Sequence, residues 1–135
     1  MDKEALHHNL VPAHFKTKFN AQKAKKGDQV NLNCKAQGDK PITITWYKDG
    51  EILGNGTIPR YSKRQYDHHD GLTSQLNIHS VRREDSSVFS CRATNRYGHD
   101  DSTVELVVQE LSKVVFLVQK EIPGLLKRNK NLLLV

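Results

Sequence analysis

The sequence has no run of apolar residues that approaches the roughly 18 needed to cross a bilayer as a helix. It has no serine in a Gly-x-Ser-x-Gly context and no glycine-rich phosphate loop. The usual hydrolase and nucleotide-binding motifs are therefore absent from the sequence. Its two cysteines are not part of a Cys-x-x-Cys pair or a spaced Cys/His set, so no zinc site is expected. We therefore expect a non-catalytic chain without a cofactor or a metal.

The composition indicates a small core and a basic surface. Hydrophobic residues make up 36% of the chain, and the formal net charge is +6. Such charge can attract heparin-like glycans, nucleic acid or acidic headgroups, whereas a solvated strand-and-turn face is the interpretation we favour. Nucleic acid is not expected as a partner, and steep salt dependence would mark a polyanion-binding module. The positive residues cluster in two segments: Lys16, Lys18, Lys23, Lys25 and Lys26, and then Lys120, Lys127, Arg128 and Lys130.

Apolar and polar residues alternate along much of the chain between positions 11 and 110, which is the pattern of half-buried β-strands. The alternation places Cys34, Trp46, Leu76 and Phe89 on inward faces, and we expect them in the core. Turn signals separate about seven or eight short strands, and no helical periodicity is present. We expect an edge strand over 11–19, a hairpin at 48–51 and a turn at 97–100.

The order Cys34, Trp46, Cys91 has the spacing of an immunoglobulin sandwich, in which a disulfide joins the sheets beneath a tryptophan. The chain resembles an I-set immunoglobulin domain over about residues 11–110. An unrelated pair of thiols in a cytosolic protein is the alternative. The motifs that carry the resemblance are Trp46-Tyr47-Lys48-Asp49-Gly50, Leu76-Asn77-Ile78, Arg83-Glu84-Asp85-Ser86, and Phe89-Ser90-Cys91-Arg92-Ala93-Thr94-Asn95-Arg96-Tyr97-Gly98.

Within that family, the chain is similar to the late immunoglobulin repeats of Down syndrome cell adhesion molecules. The segments that suggest this are Val11-Pro12-Ala13, Gly38-Asp39-Lys40-Pro41-Ile42, Arg60-Tyr61, Asn95 to Asp101 and Val107 to Glu110. The resemblance implies the extracellular part of a neuronal plasma-membrane receptor for homophilic adhesion, axon guidance and self-avoidance. It implies protein partners, either a second copy or another cell-surface protein, and neighbouring immunoglobulin and fibronectin modules. An intracellular structural domain of a giant muscle protein and a heparin-binding module are the alternatives.

The resemblance also assigns roles to individual residues. Cys34 and Cys91 would form the disulfide, and Arg60 and Asp85 would form a structural ion pair at one end of the sandwich. Phe89 occupies a position that usually holds tyrosine. The hydroxyl bond of the tyrosine corner is therefore missing, at a cost of about 1 kcal/mol.

Other candidate sites are weaker. Asn55-Gly56-Thr57 is the one N-glycosylation triplet in the chain, and we expect it in an exposed loop as a candidate acceptor. The adjacent His68 and His69 would point to opposite faces of a strand, so a metal site there is not expected. Arg96, Tyr97 and Tyr61 are weak candidates for a partner contact.

The expected organisation is a leader or linker at 1–10, the I-set domain at 11–110, and a tail at 111–135. We expect the tail to be disordered or irregular and foreign to the domain, because its β-prone run Val114–Val118 has no evident strand partner. Residues 1–10 lack the apolar core of a signal peptide. If the disulfide forms, we expect the chain to be a fragment of a longer secreted or membrane-anchored protein, or the product of an incomplete gene model.

Overall fold

The computed structural model describes residues 10–54 and 56–110, which form a sandwich of two β-sheets. All strand pairs in the described residues are antiparallel except one. This confirms the expected all-β fold class. The smaller sheet has the order β1 (His14–Phe15), β3 (Val30–Gln37), β7 (Gly71–Ile78) and β6 (Tyr61–His68). The larger sheet has the order β2 (Phe19–Lys25), β9 (Gly98–Gln109), β8 (Ser87–Asn95), β4 (Thr43–Lys48) and β5 (Glu51–Ile52). The predictions for positions 1–9, Asn55 and the tail lie outside the described residues.

The first strand differs from its prediction, because the segment expected as one edge strand contributes to both sheets. His14 and Phe15 pair with β3 in the smaller sheet, and the chain then crosses so that β2 runs parallel to β9 in the larger sheet. The Ser102 hydroxyl donates a 2.9 Å hydrogen bond to the Thr17 carbonyl and holds this crossing. Local alternation could not reveal the switch, since it depends on pairing with residues more than 80 positions away.

The core is built from the inward-facing residues of both sheets. In β3, buried and exposed residues alternate without exception from Val30 to Ala36, as period two requires. Trp46, Leu76 and Phe89 are completely buried. The remaining buried apolar residues are Ala13, Phe15, Val30, Leu32, Cys34, Ala36, Ile44, Leu53, Leu72, Ile78, Val81, Cys91, Ala93, Val104 and Leu106.

A disulfide between Cys34 and Cys91 joins the two sheets at the centre of this core, with a Cα–Cα distance of 6.6 Å. Trp46 is the cross-strand neighbour of Cys91, and Ser74 is the neighbour of Cys34. The indole nitrogen of Trp46 donates a 2.8 Å hydrogen bond to the Ser74 hydroxyl. The polar indole edge is therefore satisfied inside the core, where an unpaired donor would cost about 1–3 kcal/mol.

The structure contains the expected hairpin turn at Asp49-Gly50 but not the expected turn over 97–100. Asp49 and Gly50 both have positive φ, which is the geometry of a type I′ hairpin and suits an Asp-Gly pair. The prediction of a turn over 97–100 was wrong, because β9 already begins at Gly98. The turn between β8 and β9 consists of Arg96 and Tyr97. A short 3₁₀ helix, Arg83–Asp85, lies within the charged turn before β8.

We predict that the double substitution Cys34→Ala/Cys91→Ala lowers the free energy of unfolding by about 4 kcal/mol. The disulfide closes a loop with a sequence separation of 57 residues, and the chain-entropy relation gives roughly that value for such a loop. Urea unfolding followed by tryptophan fluorescence measures the loss. Reducing agent should destabilise the wild type by a similar amount and leave the double variant unchanged; equal stability of wild type and variant would contradict the prediction.

Candidate functional site

The Asp85 carboxylate is the centre of a hydrogen-bonded corner at one end of the sandwich. Arg60 donates to it through both terminal nitrogens, at 2.8 and 3.0 Å, so the ion pair is bidentate. The Tyr61 hydroxyl donates at 2.5 Å and the Arg82 backbone N–H at 2.7 Å. The side chain of Asp85 is 2% exposed and that of Arg60 is 22% exposed. The structure therefore brings together the two residues expected to pair and adds two donors.

Tyr61 and Arg82 were not assigned to this corner from the sequence. The Tyr61 ring lies 6.2 Å from the Phe89 ring, centroid to centroid, and its hydroxyl is bound to Asp85. Tyr61 is half-buried and thus supplies a bonded hydroxyl near the position where the sequence lacks one. The signal was its position directly after Arg60 at the start of a strand, where both side chains can reach the same turn.

The electrostatics of the corner favour the ionised carboxylate. Burial alone would raise the pKa of Asp85, but hydrogen bonds from Arg60, Tyr61 and the Arg82 backbone outweigh it and lower the pKa. Burial and the hydrogen bond to the carboxylate raise the pKa of Tyr61, so its hydroxyl keeps its proton. The hydrogen bond with Asp85 also raises the pKa of Arg60. Asp85 therefore stays ionised, while Tyr61 and Arg60 keep their protons, and the role of the corner is structural.

The two chain ends of the domain lie at opposite ends of the sandwich. Near the N-terminus, the Val11 carbonyl accepts from the Asp39 N–H at 3.0 Å and from the Asn95 side chain at 2.8 Å, just after the last residue of β3. Near the C-terminus, the Gln109 carbonyl accepts from the Lys26 N–H at 2.9 Å, just before β3 begins. Because β3 is eight residues long, these ends are about 25 Å apart.

Asn95 organises the N-terminal end, and its role was not foreseen from the sequence. Its amide nitrogen donates to the carbonyls of Val11 and Asp39, and its side-chain oxygen accepts from the Tyr97 N–H at 3.0 Å. It therefore ties three segments of this end together. An open cavity of about 1020 Å³ lies beside it, and its lining comprises Val11, His14, Gln37, Gly38, Asp39, Lys40, His69, Asp70, Arg96 and Tyr97.

The outer face of the larger sheet carries exposed apolar residues. The strand register places Phe19, Thr103, Ser90, Tyr47 and Ile52 in one row across this face. Phe19 is 61% exposed and Ile52 is 66% exposed. Two further exposed apolar residues, Val88 and Val107, lie on the same face. Charged residues lie between them, since Lys23 is the cross-strand neighbour of Val107 and Glu105 is that of Val88. We call this surface, which carries both exposed apolar and charged residues, the mixed outer face.

The remaining predicted sites receive little structural support or none. Asn55 lies outside the described residues, so the glycosylation prediction stays a prediction. His68 contacts the Thr73 hydroxyl at 2.7 Å. Over residues 10–54 and 56–110, no group of three or more potential ligands could hold a metal ion. In the same ranges, no helix has the length and apolar character required to cross a membrane.

We predict that Tyr61→Phe destabilises the domain by about 2 kcal/mol, because a hydrogen bond to a buried charged group contributes roughly that much. Tyr66→Phe is the matched control on the same strand, since Tyr66 is exposed. Its substitution should change the unfolding free energy by less than about 0.5 kcal/mol. Chemical denaturation of both variants measures the difference, and equal effects would show that the Tyr61 hydroxyl contributes nothing special.

We predict a pH-dependent cost for Asp85→Asn. The variant should lose roughly 3 kcal/mol at neutral pH, because it leaves Arg60 without its counter-charge. Since the folded-state pKa of Asp85 is lowered, its contribution is fully present above the unfolded-state pKa of about 3.9 and disappears as pH falls through the folded value. The stability gap between wild type and variant should therefore shrink below about pH 4. Denaturation midpoints measured from pH 2 to 7 test this, and a constant gap would contradict it.

Comparison with known proteins agrees with this architecture. Residues 13–108 match the immunoglobulin I-set domain model. The cell adhesion molecule Dscam1 of Drosophila melanogaster is 34% identical over 81% of this chain, and the human cell adhesion molecule DSCAML1 is 37% identical over 74% of it. The chain spans about 5% of the length of these relatives.

Solved structures similar to this chain include domains of titin. The I-band fragment I67-I69 from titin aligns with a TM-score of 0.64 and 28% identity, covering 73% of this chain and 33% of that fragment. The titin M3 domain aligns with a TM-score of 0.62 and 27% identity, covering 73% of this chain and 98% of that domain. Because the family model matches nearly the whole sandwich, the chain belongs to the immunoglobulin I-set family.

Proposed function

We propose that residues 11–110 form one non-catalytic module in the extracellular part of a neuronal plasma-membrane adhesion receptor. The module acts in homophilic adhesion, axon guidance and self-avoidance, and it is linked to neighbouring immunoglobulin and fibronectin modules. The similarity to Dscam cell adhesion molecules supports the class of receptor. The observation that carries the proposal is the buried disulfide, because such bonds form and persist in oxidising compartments.

The positions of the chain ends support a place in a linear array. Val11 is held at one end of the sandwich and Gln109 at the other, so neighbouring modules attach at opposite ends. Attachment at opposite ends would let the module extend a linear array along the direction of its strands.

The mixed outer face supports contact with a second copy of the chain. Its exposed residues Phe19, Ile52, Val88 and Val107 are accompanied by charges of both signs, among them the Arg92–Asp101 ion pair, with a nitrogen–oxygen distance of 2.8 Å. A symmetric contact places the same patch against itself, so a patch with charges of both signs can pair them across the interface. We therefore place the homophilic contact on this face.

An intracellular structural module, as in the titin domains that resemble this chain, is the second candidate. The disulfide separates the two, because cytosolic thiols are kept reduced. We expect the chain to show an intact Cys34–Cys91 bond when it is secreted from animal cells, and to lose stability when it is produced in the cytosol. Mass analysis with and without reductant, combined with thermal unfolding, tests this. Equal stability of the two forms, with both thiols free in the cytosolic form, would favour the muscle-type module.

The homophilic contact is tested with beads coated with the full chain. Wild-type beads should aggregate, and Val88→Glu/Val107→Glu should abolish aggregation because it introduces buried unpaired carboxylates into the contact. Thr73→Glu/Gln75→Glu is the matched control on the outer face of the smaller sheet, and it should aggregate like wild type. Equal loss in both variants would show a charge effect, and absence of wild-type aggregation would reject self-binding by this module.

A further inference from the structure

The outer face of the smaller sheet differs from the rest of the surface because its strand positions contain no carboxylate. The register places polar and basic residues there from each strand: His14; Asn31, Asn33, Lys35 and Gln37; Thr73, Gln75 and Asn77; Ser62, Arg64, Tyr66 and His68. Acidic residues appear at its margin, where Asp70 accepts from Gln37 at 2.9 Å and Asp67 pairs with Lys40 at 2.9 Å. The face is thus rich in amide and hydroxyl groups and carries positive charge.

A groove adjoins this face at the seam between the sheets. Its volume is about 360 Å³, and its lining comprises Lys16, Thr17, Asn20, Asn33, Cys34, Lys35, Gln37, Ser102 and Val104. Two lysines and three carboxamides line it, and no carboxylate does. In the described part of the chain, neither lysine lies within 4.0 Å of an acidic group, whereas Lys18, Lys26 and Lys40 each do.

The groove exists because the chain crosses between the sheets after Phe15. β1 pairs with Ala36 and Gln37 alone, so the edge of β3 over Val30–Lys35 has no strand beside it among the described residues. Such an edge presents backbone N–H donors as well as carbonyls.

The backbone that carries Lys16 is fixed on both sides. The Phe15 N–H donates to the Asp100 carboxylate at 2.9 Å, and the Thr17 carbonyl accepts from Ser102 at 2.9 Å. The backbone of this lysine is therefore held in place before any ligand binds, which reduces the entropy cost of binding.

We propose that this groove and the adjoining face bind a sulfated glycan chain. Lys16 and Lys35 would contact sulfate groups, the carboxamides of Asn33 and Gln75 would contact sugar hydroxyls, and Arg64 would extend the charged track along the face. The Gln75 amide already donates to the Asn33 side chain at 3.0 Å, so the polar row is ordered across two strands.

A sulfated glycan fits this surface better than single-stranded nucleic acid. Nucleic acid requires aromatic side chains on which successive bases stack. Among the described residues, the face offers one large aromatic ring, that of Tyr66, besides the imidazoles of His14 and His68 at the end of the sheet. Carboxamides and hydroxyls match a ligand that is rich in hydroxyl and sulfate oxygens. The site differs from the lysine-rich segment noted in the sequence, since it joins Lys16 to residues of β3 and β6 and leaves out Lys23 and Lys25.

The site would meet such glycans in the extracellular setting proposed above, but its existence does not depend on that setting. A binding measurement on the isolated chain is therefore independent of the adhesion proposal. If self-association of the module fails while glycan binding holds, the two proposals are separated, and the reverse outcome separates them as well.

The test is titration of the full chain with a heparin-derived sulfated oligosaccharide at physiological salt. We expect Lys16→Gln/Lys35→Gln to weaken binding by at least about tenfold, as expected for loss of charge-assisted hydrogen bonds. Arg64→Gln should weaken it by a smaller factor. Lys23→Gln/Lys25→Gln, which removes the same charge from β2 in the other sheet, should change binding less than about threefold because screening weakens distant charges.

Each alternative outcome overturns the proposal. Equal weakening by both lysine pairs would show that net charge alone attracts the oligosaccharide. No binding of wild type at physiological salt would remove the site, and so would equal affinity for a desulfated oligosaccharide. Tighter binding of single-stranded DNA would identify a different ligand class. Unfolding midpoints confirm that every variant is folded, which is expected because Lys16, Lys23, Lys25, Lys35 and Arg64 are all exposed.

Discussion

The covalent link between Cys34 and Cys91, packed beneath Trp46, is the constraint on which the sandwich depends. It joins a strand of the smaller sheet to a strand of the larger sheet at the centre of the core. A chain with 36% hydrophobic residues has a modest apolar core to offset its conformational entropy. The disulfide reduces the entropy of the unfolded chain. Ser74 accepts a hydrogen bond from the indole nitrogen of Trp46, so the tryptophan packed on the disulfide leaves no unpaired donor in the interior.

The Asp85 corner performs a similar task by electrostatics where the disulfide does not reach. It ties the 3₁₀ turn before β8 to the start of β6, so it connects the two sheets at one end of the sandwich. Four donors surround one carboxylate, and the burial that would otherwise disfavour its charge instead strengthens each hydrogen bond. The Tyr61 hydroxyl adds a partly buried hydrogen bond in a domain whose Phe89 cannot make the usual corner bond.

The crossing of the first strand shapes the surface as much as the core. Among residues 10–54 and 56–110, it leaves one edge of β3 without a neighbouring strand over most of its length, next to the seam that Lys16 and Lys35 line. It also makes β2 an edge of the larger sheet, where Phe19 faces solvent beside Thr103. One backbone event therefore separates two outer faces of different character. The mixed outer face carries exposed hydrophobic residues among charges of both signs, and the other face carries carboxamides and basic groups.

The sequence by itself determined the fold class, the strands with strict alternation, the Asp49-Gly50 hairpin, and the pairing candidates Cys34 with Cys91 and Arg60 with Asp85. The strands, the hairpin and the cysteine pair depend on local periodicity, turn residues and spacing, which a single chain displays directly, whereas the pairing of Arg60 with Asp85 came from the resemblance to I-set domains. Tertiary structure alone decided the switch of the first strand between sheets and the donors Tyr61 and Arg82 at Asp85. It also decided the hydrogen bonds of Asn95 at the N-terminal end and the composition of each outer face. These depend on register between distant strands, and register arises when both sheets bury their apolar faces together, so no local segment encodes it.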